Sequence, residues 1–540
     1  MKSPAALFRV DGSARMGTGH VMRCLTLADA LARRGFRATF VSRTLHPALA
    51  DLIHQAGHDL HLLSPDGPAP LPEQGDYGRW LGTTQAHDAK ATGAAAEAAG
   101  LDRPALVVVD HYGLDREWEE IVRAEFPGAP MLCIDDLDRP HVGDVVVDST
   151  LSKSADAYRG RVPDGCTCLV GAEFALLRPD FAELRPQSLA ARDVAYAQGR
   201  PAHHVLINMG GADQPDATGW VIDGLAPLAQ AHGLTLHVLV GGAYPHGARL
   251  EERRAEIGPR LEIHRDIRDM AGFLSRMDLA VGAAGSSAWE RCCLGLPSVM
   301  LVIADNQRGV ARALADTGAA IDDGIFDPQV DAAEWALRVV EPLLSSDQLA
   351  SLSMTARELV DGQGVTRAIS AGLGARIRTG HLALRPARME DARLMHEWQS
   401  DPATRRFAVN PSVPAWADHL NWLDRKLSDQ DCSFYIAETD GIAAGLVRLD
   451  KSGCPSPPGV APDRCREVSI VTAPEFHGCG VALRALRELQ HVHDGEIQIA
   501  RILPGNTASH SLFAKAGYRP FAPDLFFWSP VETSQRSERE

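Results

Sequence analysis

From residue 5 to about 345, short apolar runs alternate with segments of helical composition. Ala6-Leu7-Phe8-Arg9-Val10 predicts a first strand and Phe36-Arg37-Ala38-Thr39-Phe40-Val41 a second. Ala105-Leu106-Val107-Val108-Val109-Asp110 is a continuous apolar run ending in an acid, the pattern of a strand buried on both faces. Runs of the same kind recur at 130–136 and 144–148, with helix-forming composition at 85–100 and 116–126. Such alternation predicts a parallel sheet wrapped by helices. Around 188–201 the pattern breaks into small and polar residues, punctuated by Gly199 and Pro201. A second series follows, with strands predicted at 204–208, 236–240, 279–282 and 298–302. A further shift falls at 362–380, after a helical pattern over 349–360. From Leu382-Ala383-Leu384-Arg385-Pro386 strands and helices recur in a different order, and the polar tail at 532–540 is expected to fray.

The expected class is α/β: two Rossmann-like domains, residues 1–190 and 200–345, then an α+β domain over 380–530. Two such halves in tandem suggest a cleft, with ligands at the carboxyl ends of strands. A length of 540 residues agrees with several domains, and 45% hydrophobic with 23% charged residues is a globular composition. The net charge of −16 argues against nucleic acid or an anionic membrane as partner. No apolar run nears the roughly 20 residues needed to span a bilayer, and Arg9 and Asp11 interrupt any secretory core, so a cytoplasmic location is expected. Ten cysteines are too sparse for a disulfide scaffold, and the close pairs Cys166/Cys168 and Cys292/Cys293 lack zinc-knuckle spacing. No metal site is expected.

Candidate chemistry starts at Gly17-Thr18-Gly19-His20, followed one turn later by Arg23. A Gly-x-Gly turn after a strand sets His20 at a helix N-terminus, where backbone amides favour an anion. An imidazole there can act as a general base near neutral pH. A tight turn with an incidental histidine would give the same motif. Met209-Gly210-Gly211 follows a predicted strand, so its glycines let backbone amides approach a diphosphate. Ser287 and Glu290 share a helix face; the amides of Ser286 and Ser287 suit phosphate, and the Glu290 carboxylate suits ribose hydroxyls. Glu290 as an ordinary first-turn acid is the alternative.

Arg9-Val10-Asp11-Gly12-Ser13, Gly17-Thr18-Gly19-His20 and Arg23 resemble the start of the pseudaminic-acid pathway nucleotide-sugar hydrolases. Further matches follow in order: Asp110-His111-Tyr112-Gly113, Asp135-Asp136 with Pro140-His141, 171–181, Met209-Gly210-Gly211-Ala212-Asp213, Gly285-Ser286-Ser287 with Glu290, and Asp305-Asn306-Gln307. The resemblance covers roughly residues 5–340 and implies a GT-B fold. It implies release of UDP from UDP-2,4-diacetamido-2,4,6-trideoxy-β-L-altropyranose, with His20 as the catalytic residue. Asp11, Gly17, Gly19, Arg23, Tyr112, Gly210, Gly211, Ser286, Ser287, Glu290, Asn306 and Gln307 would bind the UDP-sugar. Asp11 would orient His20 or a sugar hydroxyl, and His111 could belong to pocket or scaffold. A GT-B glycosyltransferase and a noncatalytic nucleotide-sugar binding protein are the rival readings.

Residues 382–530 resemble the GNAT superfamily of acyl-CoA N-acyltransferases. The run Glu467-Val468-Ser469-Ile470-Val471 precedes His477-Gly478-Cys479-Gly480-Val481-Ala482, where the superfamily has its pyrophosphate loop. The resemblance implies that acetyl-CoA is the cosubstrate, held by Ile470, Val471, His477, Gly478, Cys479, Gly480, Val481, Ala482 and Asn506. The block from Asn506 to Tyr518 follows the second signature, but Phe513 stands where many relatives carry a tyrosine acid. Tyr518, Ser511, a water or CoA itself would then protonate the thiolate. His419 and Trp422 read as either substrate-side residues or a packing pair. A UDP-amino sugar, acetylated on its 4-amino group, is the implied acceptor.

Overall fold

The computed structural model describes residues 3–13, 16–67, 75–210, 213–242 and 244–530. It divides into two compact units, Ala6–Ala30 with Ala38–Ala368, and Ile369 onward with Leu31–Arg37 and the N-terminal residues.

The larger unit holds two sheets. The first contains β1 (Ala5–Val10), β2 (Arg37–Ser42), β3 (Asp59–Leu62), β4 (Leu106–Asp110), β5 (Met131–Ile134), β6 (Val145–Asp148) and β7 (Thr167–Val170), in the order β3-β2-β1-β4-β5-β6-β7. The second contains β8 (His204–Asn208), β9 (Thr235–Leu239), β10 (Leu261–His264), β11 (Leu279–Ala283), β12 (Ser298–Val302) and β13 (Ile321–Ile325), in the order β10-β9-β8-β11-β12-β13, parallel throughout. Central strands are mostly apolar because helices cover both faces: β1, β4, β5 and β12 are buried along their whole length, Arg9 and Asp110 included.

The four edge strands β3, β7, β10 and β13 were not predicted, being only partly buried and less uniformly apolar, and two further segments differ from the sequence expectation. The break expected at 188–201 is helix as far as Ala197, within Pro179–Ala197. Its small and polar residues serve close packing: Ser188 Oγ and Arg192 Nε both donate to the Leu294 carbonyl, at 3.1 and 2.9 Å. Alanine also carries the best intrinsic helix propensity, which favours the Ala190-Ala191 and Ala195 stretch. The shift at 362–380 is likewise mostly helix, Gly364–Thr379. Gly364 opens it because a Cβ there would lie 2.2 Å from the Ala175 carbonyl oxygen.

The smaller unit carries one mixed sheet of β14 (Leu382–Pro386), β15 (Ser433–Thr439), β16 (Ile442–Lys451), β17 (Cys465–Thr472), β18 (Ile497–Arg501), β19 (Arg519–Ala522) and β20 (Leu525–Trp528). Its order is β14-β15-β16-β17-β18-β20-β19, with β17 and β18 parallel between antiparallel flanks. Among the described residues no helix is long and apolar enough to cross a membrane.

Candidate functional site

In the first sheet the chain order reverses between β1 and β4, which leaves a crevice beyond their carboxyl ends. Val10 and Asp110 are register partners there. After β1 the chain turns through Gly17, whose φ of +81° an L side chain rarely adopts, although a Cβ would meet nothing within 4 Å. The helix Gly19–Arg33 then opens with His20. His20 Nδ1 lies 2.6 Å from Asp110 Oδ1, and Arg23 grips the same carboxylate through Nε (2.5 Å) and Nη2 (2.6 Å). Burial alone would raise the Asp110 pKa; Arg23, then His20, outweigh it and hold the carboxyl well below the usual range. An ionised Asp110 draws the imidazole proton to Nδ1 and leaves a lone pair on Nε2, the form a general base requires.

Tyr112 packs edge-on against His20, with ring centroids 4.6 Å apart, and its hydroxyl donates to Asp136 Oδ2 at 2.8 Å. Burial, reinforced by Asp136, pushes the phenol pKa up, so Tyr112 stays a neutral donor. Tyr77 and Trp80 pack on Tyr112 at 5.2 and 5.9 Å and extend the aromatic wall. Sequence reading missed Asp110, Asp136, Tyr77 and Trp80 as site residues. The acid closing the apolar β4 run was a usable signal for Asp110; the two aromatics carry none.

Asp11 does not have the place expected of it. It is fully buried, accepting from Arg9 Nη1 at 2.6 Å and the Arg43 amide at 2.7 Å, with His111 Nε2 at 3.4 Å. Arg9 in turn is clamped by Asp88 through Nε and Nη2, both at 2.8 Å. The orienting carboxylate for His20 is Asp110, because Asp11 is consumed in neutralising an arginine enclosed by the core. His111 belongs to this scaffold as well, its Nδ1 accepting from the Gly113 amide at 2.9 Å.

In the second sheet β8, β11 and β12 are neighbours, and their carboxyl ends gather the remaining candidates. Gly210 takes φ +87° after β8; Gly211 lies outside the described residues, as does the side chain of Asn306. The helix that follows, Ala217–His232, is closed by two carboxylates: Asp213 accepts from the Ala217 and Thr218 amides, Asp216 from Gly219. Ser286 is exposed before the helix Ser287–Cys293, and Ser287 Oγ lies 3.1 Å from Arg291 Nη1. Glu290 is half-buried on that helix, and burial raises its pKa against the pull of Arg178 and Arg291. The Gln307 side chain accepts from the Ile303 amide at 3.0 Å and so braces the loop after β12.

In the smaller unit β17 pairs with β16 as far as Thr472, but with β18 only through Cys465, Arg466 and Glu467. The two parallel strands splay from Val468 on, which leaves backbone groups around Ile470 and Val471 facing the gap. Gly478 and Gly480 take φ of +79° and +74° in the loop before the helix Val481–Val492, with no atom within 4 Å of a Cβ at either. Two of the expected amides are spent within this loop: His477 N donates to Pro474 O and Cys479 N to Phe476 O. The N-terminal amides of the helix, at Val481 and Ala482, have no partner inside it. Asn506 caps Thr507–Lys515, its side chain accepting from the Ser509 amide at 3.0 Å. Phe513 packs edge-on against Tyr518, whose hydroxyl is buried and donates to Gln498 Oε1 at 2.5 Å. His419 is buried, bonded to the Ala392 carbonyl and tilted against Trp422, as a packing pair requires.

Two doubly wound parallel sheets in tandem, each with its candidates at the strand carboxyl ends, define a pair of Rossmann-like domains. The splayed mixed sheet is a GNAT domain, and residues 381–519 match the family model described as "Acetyltransferase (GNAT) domain". The N-terminal region matches the UDP-2,4-diacetamido-2,4,6-trideoxy-beta-L-altropyranose hydrolase of Campylobacter jejuni, 22% identical over 316 residues, which covers 58% of this chain and 98% of that one. The spore coat polysaccharide biosynthesis protein SpsG of Bacillus subtilis is 30% identical over 190 residues, 35% of this chain; the chain spans 55% of that relative's length. An uncharacterized protein of Methanocaldococcus jannaschii, MJ1062, is 19% identical over 534 residues, 94% of this chain and 95% of its own.

Proposed function

We propose that this chain is a bifunctional nucleotide-sugar enzyme. Its GT-B part hydrolyses UDP-2,4-diacetamido-2,4,6-trideoxy-β-L-altropyranose to UDP and the free sugar. Its GNAT part transfers an acetyl group from acetyl-CoA to the 4-amino group of the UDP-sugar precursor. The observation that carries the hydrolase reading is the His20–Asp110 contact at the switch point of the first sheet.

In this reading His20 Nε2 takes a proton from water, which attacks the anomeric carbon as the bond to the UDP oxygen breaks. The imidazolium that forms is stabilised by Asp110, 2.6 Å away. UDP leaves as an anion, so it needs charge stabilisation rather than a strong acid. Gly210, Gly211, Ser286, Ser287, Asn306 and Gln307 would hold its diphosphate and nucleoside, with Glu290 on the ribose. Gly17, Gly19, Arg23 and Tyr112 would line the sugar side. In the GNAT part the splay beside Ile470 and Val471 would take the pantetheine arm. The loop from His477 to Ala482 would take the pyrophosphate, chiefly through Gly478, Gly480 and the helix amides, with Asn506 setting the following helix.

The test is UDP release from the named substrate with no sugar acceptor present, comparing wild type with His20→Ala. Release that depends on His20 and yields free sugar supports the hydrolase. No release from wild-type protein that still binds UDP overturns it for this substrate, and release only on adding an acceptor means glycosyl transfer.

A further inference from the structure

Along β8, β9 and β10 one face of the second sheet collects three histidines and a glutamate. His204 lies on β8, His237 on β9, and Glu262 and His264 on the edge strand β10. Glu262 is the register partner of His237, and His264 stands two residues further along, so the period of a strand puts all three on the same face. His237 Nδ1 lies 3.1 Å from His264 Nε2 and 3.3 Å from Glu262 Oε2, and His264 Nε2 lies 3.6 Å from the same oxygen.

We propose that His237, Glu262 and His264 form a binding site for a divalent transition-metal ion of the Zn2+ class. Three nitrogen and oxygen donors at about 2.1 Å from a tetrahedral Zn2+ stand about 3.4 Å from one another, and the three separations here bracket that value. The tautomers agree. His237 Nε2 faces His204 Nδ1 at 3.0 Å, and donating its proton there leaves His237 Nδ1 as a lone pair turned toward the site. That lone pair and the Glu262 carboxylate are both acceptors, and only one proton, on His264 Nε2, lies between them. An ion that takes this proton's place satisfies all three groups at once, with His264 bound as the neutral imidazole that keeps its proton on Nδ1.

Access and support are also present. The His237 side chain is 8% exposed, His264 23% and Glu262 52%, so the site is anchored in the sheet and open to water at its rim. Phe273 packs on both imidazoles, with ring centroids 4.7 Å from His264 and 6.2 Å from His237. Among the described residues a second three-donor cluster, Glu119, Cys133 and His141, differs in being fully buried, with Glu119 Oε1 accepting from both partners. An ion at the open site would tie the edge strand β10 to β9, a structural role on an element that has a neighbour on one side only.

The experiment titrates metal-free full-length protein with Co2+, read by visible absorption, and with Zn2+, read by calorimetry. Wild type is compared with Glu262→Gln and His264→Gln, both at exposed or half-buried positions, and circular dichroism confirms that each folds. One equivalent of Co2+ giving tetrahedral-type absorption without a thiolate band, weakened at least tenfold by each substitution, is the expected result. Equal affinity in wild type and His264→Gln, or no saturable binding by wild type up to about 100 μM ion, overturns the proposal.

Discussion

Nδ1 of His20 and Oδ1 of Asp110 meet at 2.6 Å although 90 positions separate them in the chain. The contact depends on β1 and β4 being neighbours with Val10 opposite Asp110. Arg23, one helical turn beyond His20, holds the other side of the carboxylate and keeps it charged. Replacing Asp110 by Asn keeps the shape and removes the charge that selects the Nδ1–H tautomer. UDP release by Asp110→Asn should fall about 10²–10⁴-fold in kcat with KM changed little. Unchanged kcat would remove Asp110 from the mechanism.

Tyr518 is the nearest phenol to the Phe513 position in the chain, yet its hydroxyl is engaged with Gln498, and burial pushes its pKa up. Tyr518→Phe should therefore leave acetyl transfer within about twofold of wild type and lower stability by about 1 kcal/mol, the usual worth of one hydrogen bond. A loss of acetyl transfer a hundredfold or greater, with the fold intact, would make Tyr518 the acid.

Gly480 is needed for its backbone conformation, since φ is +74° and space for a Cβ is open. Gly480→Val should strain the loop by about 1–2 kcal/mol and weaken acetyl-CoA binding about tenfold or more, measured by calorimetry. UDP release from the diacetamido substrate should be unaffected in the same protein.

His141 is buried between Glu119 Oε1 (2.6 Å) and Asp135 Oδ2 (3.5 Å). Burial lowers its pKa, but the two carboxylates outweigh it and raise the value to about 9. Because the folded value is the higher one, the stabilisation is complete below the unfolded value of about 6.5 and is lost as pH rises through about 9. Urea unfolding should show stability declining across that window by about 3 kcal/mol, and His141→Gln should flatten the decline.

Much of the fold was legible because strands and helices announce themselves locally. The run Leu106-Val107-Val108-Val109 is apolar at every position because both of its faces are covered, and Gly17 is glycine because one backbone angle demands it. The helix Pro179–Ala197 was hidden because it buries Ser188 and Arg192 and exposes Val194, which weakens the apolar periodicity. In the candidate site the same limit separated Asp11 from Asp110. Both are acids closing an apolar strand, and only the position of Arg9, enclosed by the core and in need of a countercharge, assigns Asp11 to the scaffold. Asn506 and Cys479 show it again, since one side chain and one amide are used by their own turn before any ligand arrives.

By itself the sequence determined the inner strands of the two parallel sheets, the turn that starts a helix at His20, and the glycines that shape two loops. These follow from hydrophobic periodicity and single-residue backbone preferences, which act over a few positions. The tertiary structure alone decided which carboxylate meets His20, where β17 parts from β18, and that His237, Glu262 and His264 converge. Those pairings depend on strand order and register, which are set by packing of the whole sheet and leave no local trace in the chain.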